Sequence, residues 1–323
     1  MRKEKGNMRQ EQTFSGKVKE ELAKQESGAK HCQLAEIAAI IGMCGKVAID
    51  SRERFSVKVR TENISVARKF FTLLKKTFNI KTEIFVARNK GGGNLTYTVI
   101  VKEHEDAIQL LQACELMDAN GEISGEFTAV HRTCCKRAYL RGAFLATGSI
   151  SNPEKSYHIE IVCSVLKKAR QLQILMKSFG LDAKVILRKN SYVVYLKEGS
   201  QIVDLLNVME APMALMEMEN VRILKEMRNS VNRKVNCETA NIHKTVSAAV
   251  KQVADIQYIE STMGLINLPE GLQEIAKIRL THPNASLKEL GDLLKEPLGK
   301  SGVNHRLRKL SEIAEDLRGN KEE

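Results

Sequence analysis

The chain has 323 residues, and 51 Lys and Arg against 39 Asp and Glu give it a formal net charge of +12. Hydrophobic residues make up 43% of the sequence, which is enough to build the cores of two or three domains. The charged amino terminus lacks the apolar segment of a secretory signal, and no run of about 18 apolar residues is present to span a membrane. The composition therefore predicts a cytoplasmic protein without a membrane partner.

Basic residues are concentrated in segments that are patterned for folding. Between Arg52 and Lys102 there are twelve basic residues and three acids. A folded protein with basic faces most often binds a polyanion, so double-stranded DNA is the expected partner. A solvated basic surface with no partner is the alternative.

The cysteines and histidines do not predict a metal site. The seven cysteines are scattered, odd in number and without the Cys-x-x-Cys pair that zinc sites commonly use. The histidines show no His-Glu-x-x-His motif and no regular ligand spacing. We therefore expect reduced, mostly buried thiols and no metal ion or other cofactor. The cysteines are Cys32, Cys44, Cys114, Cys134, Cys135, Cys163 and Cys237.

The first third of the chain predicts an α/β unit. Residues 1–14 are polar and predict a disordered tail, after which Ser15 is placed to cap a first helix. A second helix over 33–43 is apolar on most sides, so we expect it to be buried. The elements that follow are a strand at 55–59, a helix at 65–78, strands at 84–87 and 95–101 with a glycine-rich turn between them, and a helix at 105–116.

The same order of elements returns about 100 residues later. ARKFFTLLKKTFNI, from Ala67, resembles ARQLQILMKSFGL, from Ala169. The repeats are expected at 15–118 and 125–210, and together they predict an α+β fold built from two α/β repeats.

Beyond the second repeat the alternating strand pattern disappears, which predicts an all-α region. A long helix over 217–231 is expected to lead into a polar stretch, NRKVNCETANIHKT, within a helical linker at 211–240. This stretch is suited either to contact the DNA backbone or to lock the two halves together, and Arg233 and Lys234 are its candidate DNA contacts. A helix-turn-helix domain is expected at 241–318.

Two short segments near the carboxyl end predict the helix-turn-helix itself. Ser286 and Glu289 form a capping box for the first helix. Pro297 and Gly299 mark the turn. The apolar positions are Leu287, Leu290 and either Leu293 or Leu294 in the first helix, and Val303, Leu307, Leu310 and Leu317 in the second.

The spacing of these apolar positions leaves a basic face at the start of the second helix. No acid occurs between Lys300 and Leu310, where a recognition helix meets DNA. An ordinary basic helical hairpin is the alternative. The candidate contacts to base edges are Ser301, Gly302, Asn304, His305 and Arg308, and the candidate contacts to phosphates are Lys300, Arg306 and Lys309.

Two glycine-containing segments do not predict a nucleotide site. LGKSG lacks the earlier glycine of a phosphate-binding loop, because Leu294 occupies that position, and no strand precedes it. The run Gly91–Gly93 lies between two strands, where a flexible hairpin is the expected structure. We therefore expect no small-molecule substrate.

Two apolar helices carry a resemblance to a known protein family. IAAIIGMCG (37–45) and LRGAFLATG (140–148) resemble the LAGLIDADG helices of homing endonucleases. The resemblance implies two helices packed closely at a central interface, each followed by a basic sheet that can saddle DNA. The small residues expected to allow this approach are Ala38, Ala39, Gly42, Gly142, Ala143 and Ala146.

The catalytic positions of the endonucleases are altered in this chain. In active members, the acidic residue before the final glycine of each helix binds the catalytic metal, and here these positions hold Cys44 and Thr147. A thiol and a hydroxyl do not supply the carboxylate oxygens that Mg²⁺ needs. Asp50 follows the first helix but has no counterpart in the second repeat. We therefore expect no catalytic residue and no enzymatic activity, and an active metal-dependent endonuclease is the alternative.

Longer motifs are similar to those of the WhiA family. They are FSGKVKEELA, GAFLATGSISNPEKSYHIEI, NRKVNCETANIHKT, SLKELGDLL and SGVNHRLRKL, and they cover roughly residues 14–317. The resemblance implies a degenerate LAGLIDADG half joined to a helix-turn-helix similar to a sigma-factor promoter-binding domain. It also implies a bacterial, nucleoid-associated DNA-binding protein of transcription regulation, sporulation, cell division or chromosome segregation, with possible protein partners in the transcription or division machinery. A LAGLIDADG half that binds protein rather than DNA is the alternative.

Overall fold

The computed structural model describes residues 12–88, 95–118, 120–123, 130 and 132–319. They form two compact units, of which the first ends at Lys225 and the second begins at Glu226. Most of the predicted tail and the glycine-rich run Gly91–Gly93 lie outside the described residues. No described helix combines the length and apolarity needed to cross a bilayer.

The first unit consists of two repeats with the same order of elements, which confirms the predicted fold class. The first repeat contains α1 (Phe14–Lys24), α2 (Lys30–Cys44), β1 (Gly45–Ile49), β2 (Phe55–Thr61), α3 (Ile64–Phe78), β3 (Glu83–Arg88), β4 (Leu95–Val101) and α4 (His104–Ala113). The second contains α5 (Thr133–Thr147), β5 (Gly148–Ile150), β6 (Ile159–Cys163), α6 (Leu166–Lys177), β7 (Lys184–Arg188), β8 (Ser191–Leu196) and α7 (Gly199–Met209).

Each repeat builds a four-stranded antiparallel sheet. The strand order is β1-β2-β4-β3 in the first sheet and β5-β6-β8-β7 in the second. In β2 the side chains of Val57 and Val59 are buried in the core, whereas Lys58 and Arg60 are exposed on the opposite face. This alternation is the period-2 pattern of a strand with one face packed and one face open.

The amino-terminal helix is capped two residues earlier than the predicted Ser15. The hydroxyl of Thr13 caps α1 by accepting a hydrogen bond from the backbone N–H of Gly16, and Phe14 is buried. Ser15 lies inside the helix, and its hydroxyl oxygen accepts a hydrogen bond from the backbone N–H of Ile150 at 3.3 Å. The cap assignment to Ser15 is therefore wrong, because Phe14 fills a core position before it in the chain.

Helices α2 and α5 pack against each other at the centre of the first unit. A Cβ at Gly142 would lie 2.6 Å from the carbonyl oxygen of Glu36 and 2.9 Å from the Cβ of Ala39. Glycine is thus required where the two helices approach most closely. Gly42 has no neighbour within 4 Å of an added Cβ, so its predicted role in the close approach is wrong.

Charged side chains are buried beside this helix pair. Arg141, which is 1% exposed, places its guanidinium 3.2 Å from the carboxylate of Glu36 and 2.6 Å from that of Glu210. The ammonium of Lys69 lies 3.5 Å from the other carboxylate oxygen of Glu36. Because a buried charge is costly unless it is paired, these contacts couple the two repeats through their core.

A single helix, α8 (Pro212–Thr262), runs across the boundary between the two units. The predicted end of the long helix at residue 231 is therefore wrong, because the helix continues through NRKVNCETANIHKT. The reason is that this segment has neither glycine nor an internal proline, and Asn costs a helix only a few tenths of a kcal/mol, roughly. Pro212 takes the first helical position, which proline favours.

The second unit is entirely helical among its described residues. Its core contains the carboxyl-terminal part of α8, a 3₁₀ turn (Leu265–Asn267) and three further helices. These helices are α9 (Glu270–Thr281), α10 (Leu287–Asp292) and α11 (Lys300–Gly319).

Candidate nucleic-acid interface

Helices α10 and α11 form the predicted helix-turn-helix pair. The hydroxyl of Ser286 accepts a hydrogen bond from the backbone N–H of Glu289, and the Glu289 carboxylate accepts one from the backbone N–H of Ser286. The capping box is therefore confirmed. Leu290 and Leu294 are buried, whereas Leu293 is 49% exposed, which decides between the two alternatives for the last apolar position.

The turn between these helices depends on a residue that the sequence did not single out. A Cβ at Gly291 would lie 2.1 Å from the carbonyl oxygen of Leu298, and the backbone N–H of Leu298 donates to the carbonyl of Gly291 at 3.1 Å. The chain therefore folds directly back onto Gly291. Gly299, which was expected to mark the turn, has no neighbour within 4 Å of an added Cβ.

Helix α11 buries one stripe and exposes another. Val303, Leu307, Leu310 and Ala314 are buried in the core of the second unit. Because these positions recur every three or four residues, the remaining positions of the first turns face solvent. The candidate DNA-contacting residues that are exposed are Lys300, Ser301, Asn304, His305, Arg308 and Lys309, and Gly302 is half-buried.

Two arginines of α11 have partners within the second unit. Arg306 is half-buried, and its guanidinium donates a hydrogen bond to the carbonyl oxygen of Gly271 at 3.3 Å. The spacing of the sequence did not indicate this internal contact. Arg308 is well exposed and lies 3.2 Å from the carboxylate of Glu312, one turn further along the helix.

A buried arginine on α9 fixes the segment that precedes the helix pair. The guanidinium of Arg279 donates to the side-chain oxygen of Gln252 on α8 at 2.7 Å and to the carbonyl of Ala285 at 2.7 Å. Arg279 is 3% exposed, so these contacts are shielded from water. The residue holds α9, α8 and the start of the helix-turn-helix together, and no motif in the sequence pointed to it.

The first unit contains a cleft at the carboxyl ends of α2 and α5, the positions that the LAGLIDADG resemblance assigns to the catalytic carboxylates of active members. Cys44 and Thr147, the last residues of α2 and α5, line this cleft together with Lys19 and Arg60. Its volume is about 750 Å³. Among the described residues that line it, Glu62 supplies the only carboxylate.

The chemistry of the cleft does not suit a hard divalent cation. Burial raises the pKa of the Cys44 thiol to about 11, and the nearby Lys19 ammonium offsets only part of this effect, so the thiol is protonated at neutral pH. The thiol donates a hydrogen bond to the carbonyl oxygen of Ile40 at 3.3 Å. The single carboxylate of Glu62, beside a neutral thiol, the Thr147 hydroxyl and a nearby lysine, does not provide the set of carboxylate oxygens that holds Mg²⁺.

The Asp50 carboxylate makes its contacts within a local turn. Its carboxylate accepts hydrogen bonds from the backbone N–H groups of Arg52 at 2.8 Å and Arg54 at 3.0 Å, and it pairs with the Arg54 guanidinium at 2.9 Å. Hydrogen bonds from the Arg54 and Arg52 backbone hold the pKa of Asp50 below its ordinary value. Asp50 thus stabilises the turn between β1 and β2.

Three family models match consecutive parts of the chain. They are the WhiA N-terminal LAGLIDADG-like domain at residues 30–117, the WhiA LAGLIDADG-like domain at 136–228 and the WhiA C-terminal HTH domain at 231–314. The Probable cell division protein WhiA of Lachnoclostridium phytofermentans is 57% identical over 312 residues, which cover 95% of this chain and 99% of that protein.

The chain belongs to the WhiA family. The protein of the same name from Clostridium perfringens (strain 13 / Type A) is 50% identical over 95% of this chain and 98% of its own. The crystal structure of full-length DUF199/WhiA from Thermatoga maritima is similar with a TM-score of 0.59, at 26% identity over 94% of this chain and 98% of that one. The N-terminal LAGLIDADG domain of DUF199/WhiA shares the fold of the first unit, with a TM-score of 0.50 at 21% identity over 61% of this chain and 90% of that one.

The two LAGLIDADG-like sheets of this WhiA-family chain differ on their open faces. Lys46 and Lys58 are direct partners across β1 and β2, and Arg60 shares their face. Like charges that face each other across a sheet repel, so an anion would stabilise this arrangement. On the open face of the second sheet, both oxygens of Glu160 accept hydrogen bonds from Arg188 at 3.0 Å. A basic saddle was expected on both sheets; the second sheet also carries the exposed Lys184 on its open face, but there a carboxylate pairs with Arg188.

Four groups that the sequence left scattered converge at the start of α2 and α5. One ligand atom from each of His31, Cys32, Cys134 and Cys135 lies within 4.8 Å of the others. The spacing of the cysteines and histidines in the sequence did not predict a metal site at these residues. Spacing could not reveal the cluster, because its two halves are about 100 residues apart in the chain and meet only through helix packing.

Proposed function

We propose that the protein is a non-enzymatic, nucleoid-associated DNA-binding regulator of the bacterial cytoplasm. The observation that carries the proposal is the exposed, acid-free surface over the first two turns of α11 on a helix-turn-helix. The names of its curated relatives support a role in cell division. Chromosome segregation, sporulation and transcription regulation are processes in which the same surface would act, with protein partners drawn from the corresponding machinery.

The first turns of α11 provide two kinds of contact. Ser301, Asn304, His305 and Arg308 are the base-edge candidates, while Lys300 and Lys309 supply positive charge for phosphates. The free backbone N–H groups at the start of a helix also attract phosphate oxygens. Arg308 would exchange its solvent-exposed pair with Glu312 for a base or phosphate, which costs little because such surface pairs contribute about 0.2–1 kcal/mol.

Arg306, Arg233 and Lys234 have different places in this proposal. Arg306 positions α11 against the start of α9 through Gly271, so its effect on DNA would be indirect in part. Arg233 and Lys234 are exposed on α8, as are all residues from 226 to 248. We assign Arg233 and Lys234 to backbone contacts, because an exposed lysine and arginine on a helix suit phosphates rather than a packed core.

The chemistry of the cleft supports a binding function in place of hydrolysis. In two-metal catalysis, carboxylates hold the ions that activate water and stabilise the leaving group. At the helix ends this chain has a protonated thiol and a hydroxyl instead. Lys19 and Arg60 suit a phosphate backbone, so the first unit would add sequence-independent affinity through this cleft and the basic face of its first sheet.

A second candidate is supported by the open face of the second sheet. There the paired Glu160 and Arg188 lie on the same face as Val162 and Ile186, by the strand register. Ile186 is 43% exposed. Glu160 offsets the charge of Arg188, so this face combines exposed apolar groups with one further strand cation, Lys184. Such a face suits a protein partner better than a polyanion, so this sheet would serve as a protein-interaction surface.

The DNA-binding proposal is tested with the full chain on duplexes selected from random sequence, across a salt series. Loss of a base contact at Arg308→Ala is expected to cost about 1–3 kcal/mol on selected duplexes, or about 5- to 150-fold in affinity, and less on random DNA. Lys277→Ala on α9, which removes an exposed lysine outside the candidate set, is the matched control. An equal loss on both kinds of DNA would make Arg308 a phosphate contact, and no loss would remove α11 from the interface.

The contribution of the first unit is tested by the triple variant Lys46→Ala, Lys58→Ala and Arg60→Ala. Each phosphate contact adds about −0.9 to the slope of log affinity against log salt. We expect the slope to become shallower by about 1.8–2.7, which corresponds to the loss of two to three phosphate contacts. The matched control is Lys75→Ala, which removes an exposed charge from α3 on the helix layer. An unchanged slope in the triple variant would assign the first unit to protein partners only.

A further inference from the structure

The cluster at the start of α2 and α5 is built from two adjacent pairs of residues. His31 and Cys32 lie in the first turn of α2, and Cys134 and Cys135 lie in the first turn of α5. The Nδ1 of His31 is 3.2 Å from the Sγ of Cys135 and 3.3 Å from the Sγ of Cys32. Each repeat therefore contributes two groups to one small volume.

The distances fit a tetrahedral metal ion. With zinc–sulfur bonds of about 2.3 Å and zinc–nitrogen bonds of about 2.0 Å, the ligand atoms of a tetrahedron are separated by about 3.5–3.8 Å. The four ligand atoms here all lie within 4.8 Å of one another, and the two named His31 distances lie just below that range. An ion at the centre would lengthen those two distances by a few tenths of an ångström and would draw any pair near the 4.8 Å limit together by as much as about 1 Å.

The scaffold around the cluster is rigid. Cys32 and Cys135 are 6% and 3% exposed, so they are held by the core of the first unit. The helices that carry them are locked by the close approach at Gly142 and by the buried pair of Glu36 and Arg141. The fold therefore brings the ligands together, and an ion bound by them would add to the stability of the folded unit.

The chemistry of the donors selects the class of ion. Three thiols and one imidazole form a soft donor set, which favours zinc over magnesium or calcium. The amino-terminal ends of both helices lie at the cluster, but burial raises the pKa of the Cys32 and Cys135 thiols, so binding of an ion must release their protons. Cys134 is exposed, so an ion can enter from solvent.

We propose that His31, Cys32, Cys134 and Cys135 bind one zinc ion that joins the two LAGLIDADG-like repeats. The site is separate from the cleft at the opposite ends of α2 and α5, which Cys44 and Thr147 line. Zinc here fixes the two helices at their amino-terminal ends and thereby fixes the two sheets as one surface. The proposal does not depend on what that surface binds.

The test uses the full chain, purified under reducing conditions without chelators and analysed for metal by mass spectrometry. We expect one zinc per chain. After removal of zinc, titration with Co²⁺ is expected to give the visible absorption bands of a tetrahedral cobalt–thiolate site. Removal of the ion is expected to lower the Tm of the first unit, and zinc is expected to restore it.

Two single variants separate the site from general effects on folding. Cys134→Ser changes an exposed thiol, so it preserves the core while removing one ligand. We expect its zinc affinity to fall by more than about tenfold, since even the loss of an outer hydrogen-bond partner of a metal ligand costs 10–100-fold. Cys237→Ser, an exposed cysteine of the second unit, is expected to bind zinc like the unaltered chain.

Three outcomes would overturn the proposal. The first is a reduced, folded chain that binds neither zinc nor Co²⁺ at the cluster. The second is equal zinc affinity in the Cys134 and Cys237 variants. The third is a disulfide among Cys32, Cys134 and Cys135 in protein isolated from cells under alkylating conditions, which would assign the cluster to thiol oxidation.

Discussion

Gly142 offers a direct test of how the two repeats are held together. In Gly142→Ala the new methyl group would lie 2.6 Å from the carbonyl oxygen of Glu36, where ordinary contact begins at 3.4 Å. Because the obstructing atom belongs to the backbone, the two helices must separate by about 0.8 Å. Overpacking of this kind costs about 1–3 kcal/mol, occasionally more, and the better helix propensity of alanine returns about 1 kcal/mol.

We expect a net loss of about 2 kcal/mol, because separation of the helices also stretches the buried contact between Glu36 and Arg141. For a unit of this size, calorimetry of the full chain should show the Tm of the first unit fall by about 4–8 °C. Gly42→Ala is the matched control, since nothing lies within 4 Å of its new methyl group. If the two variants had the same Tm, the close approach at Gly142 would have no role in stability.

Two further predictions concern the turn of the helix-turn-helix and the second sheet. Gly291→Ala places a methyl group 2.1 Å from the Leu298 carbonyl, so it should unfold the second unit at a lower temperature and weaken DNA binding, whereas Gly299→Ala should change neither. Burial alone would raise the pKa of Glu160. Hydrogen bonds from Arg188 and His158 outweigh burial and hold this pKa below its ordinary value of 4.5. Stability from this carboxylate is present above pH 4.5 and is lost as the pH falls through the lowered pKa. The Tm difference between the unaltered chain and Arg188→Met should therefore shrink in acid; a constant difference would contradict this.

The periodic parts of the fold were predictable from sequence because burial imposes a period on the chain. The apolar positions of α11 recur at helical spacing, and the structure buries Val303, Leu307 and Leu310 as expected. The capping box at Ser286 was equally local, since both partners lie within one turn. The choice between Leu293 and Leu294 needed the position of the turn, which no local pattern specifies.

The remaining features depend on contacts between residues that are distant in sequence. Arg279, Arg306 and Gly291 resemble ordinary helix and turn residues until their partners are known. The polar composition of NRKVNCETANIHKT suggested that the long helix ends near residue 231, but this segment contains neither glycine nor proline, and the helix continues through it. The group at His31 and Cys134 was missed for a related reason, because two unremarkable pairs acquire meaning only when α2 and α5 lie side by side.

The buried pairing of Glu36 with Arg141 has a consequence for how the molecule can be divided. The two repeats share the same order of elements, which suggests that one repeat can be isolated or exchanged. Here a cut between the repeats would remove Arg141 from Glu36 and leave a core carboxylate with Lys69 as its remaining close partner. The duplicated halves have thus become dependent on each other, and fragments for separate study should preserve residues 12–225 as one piece.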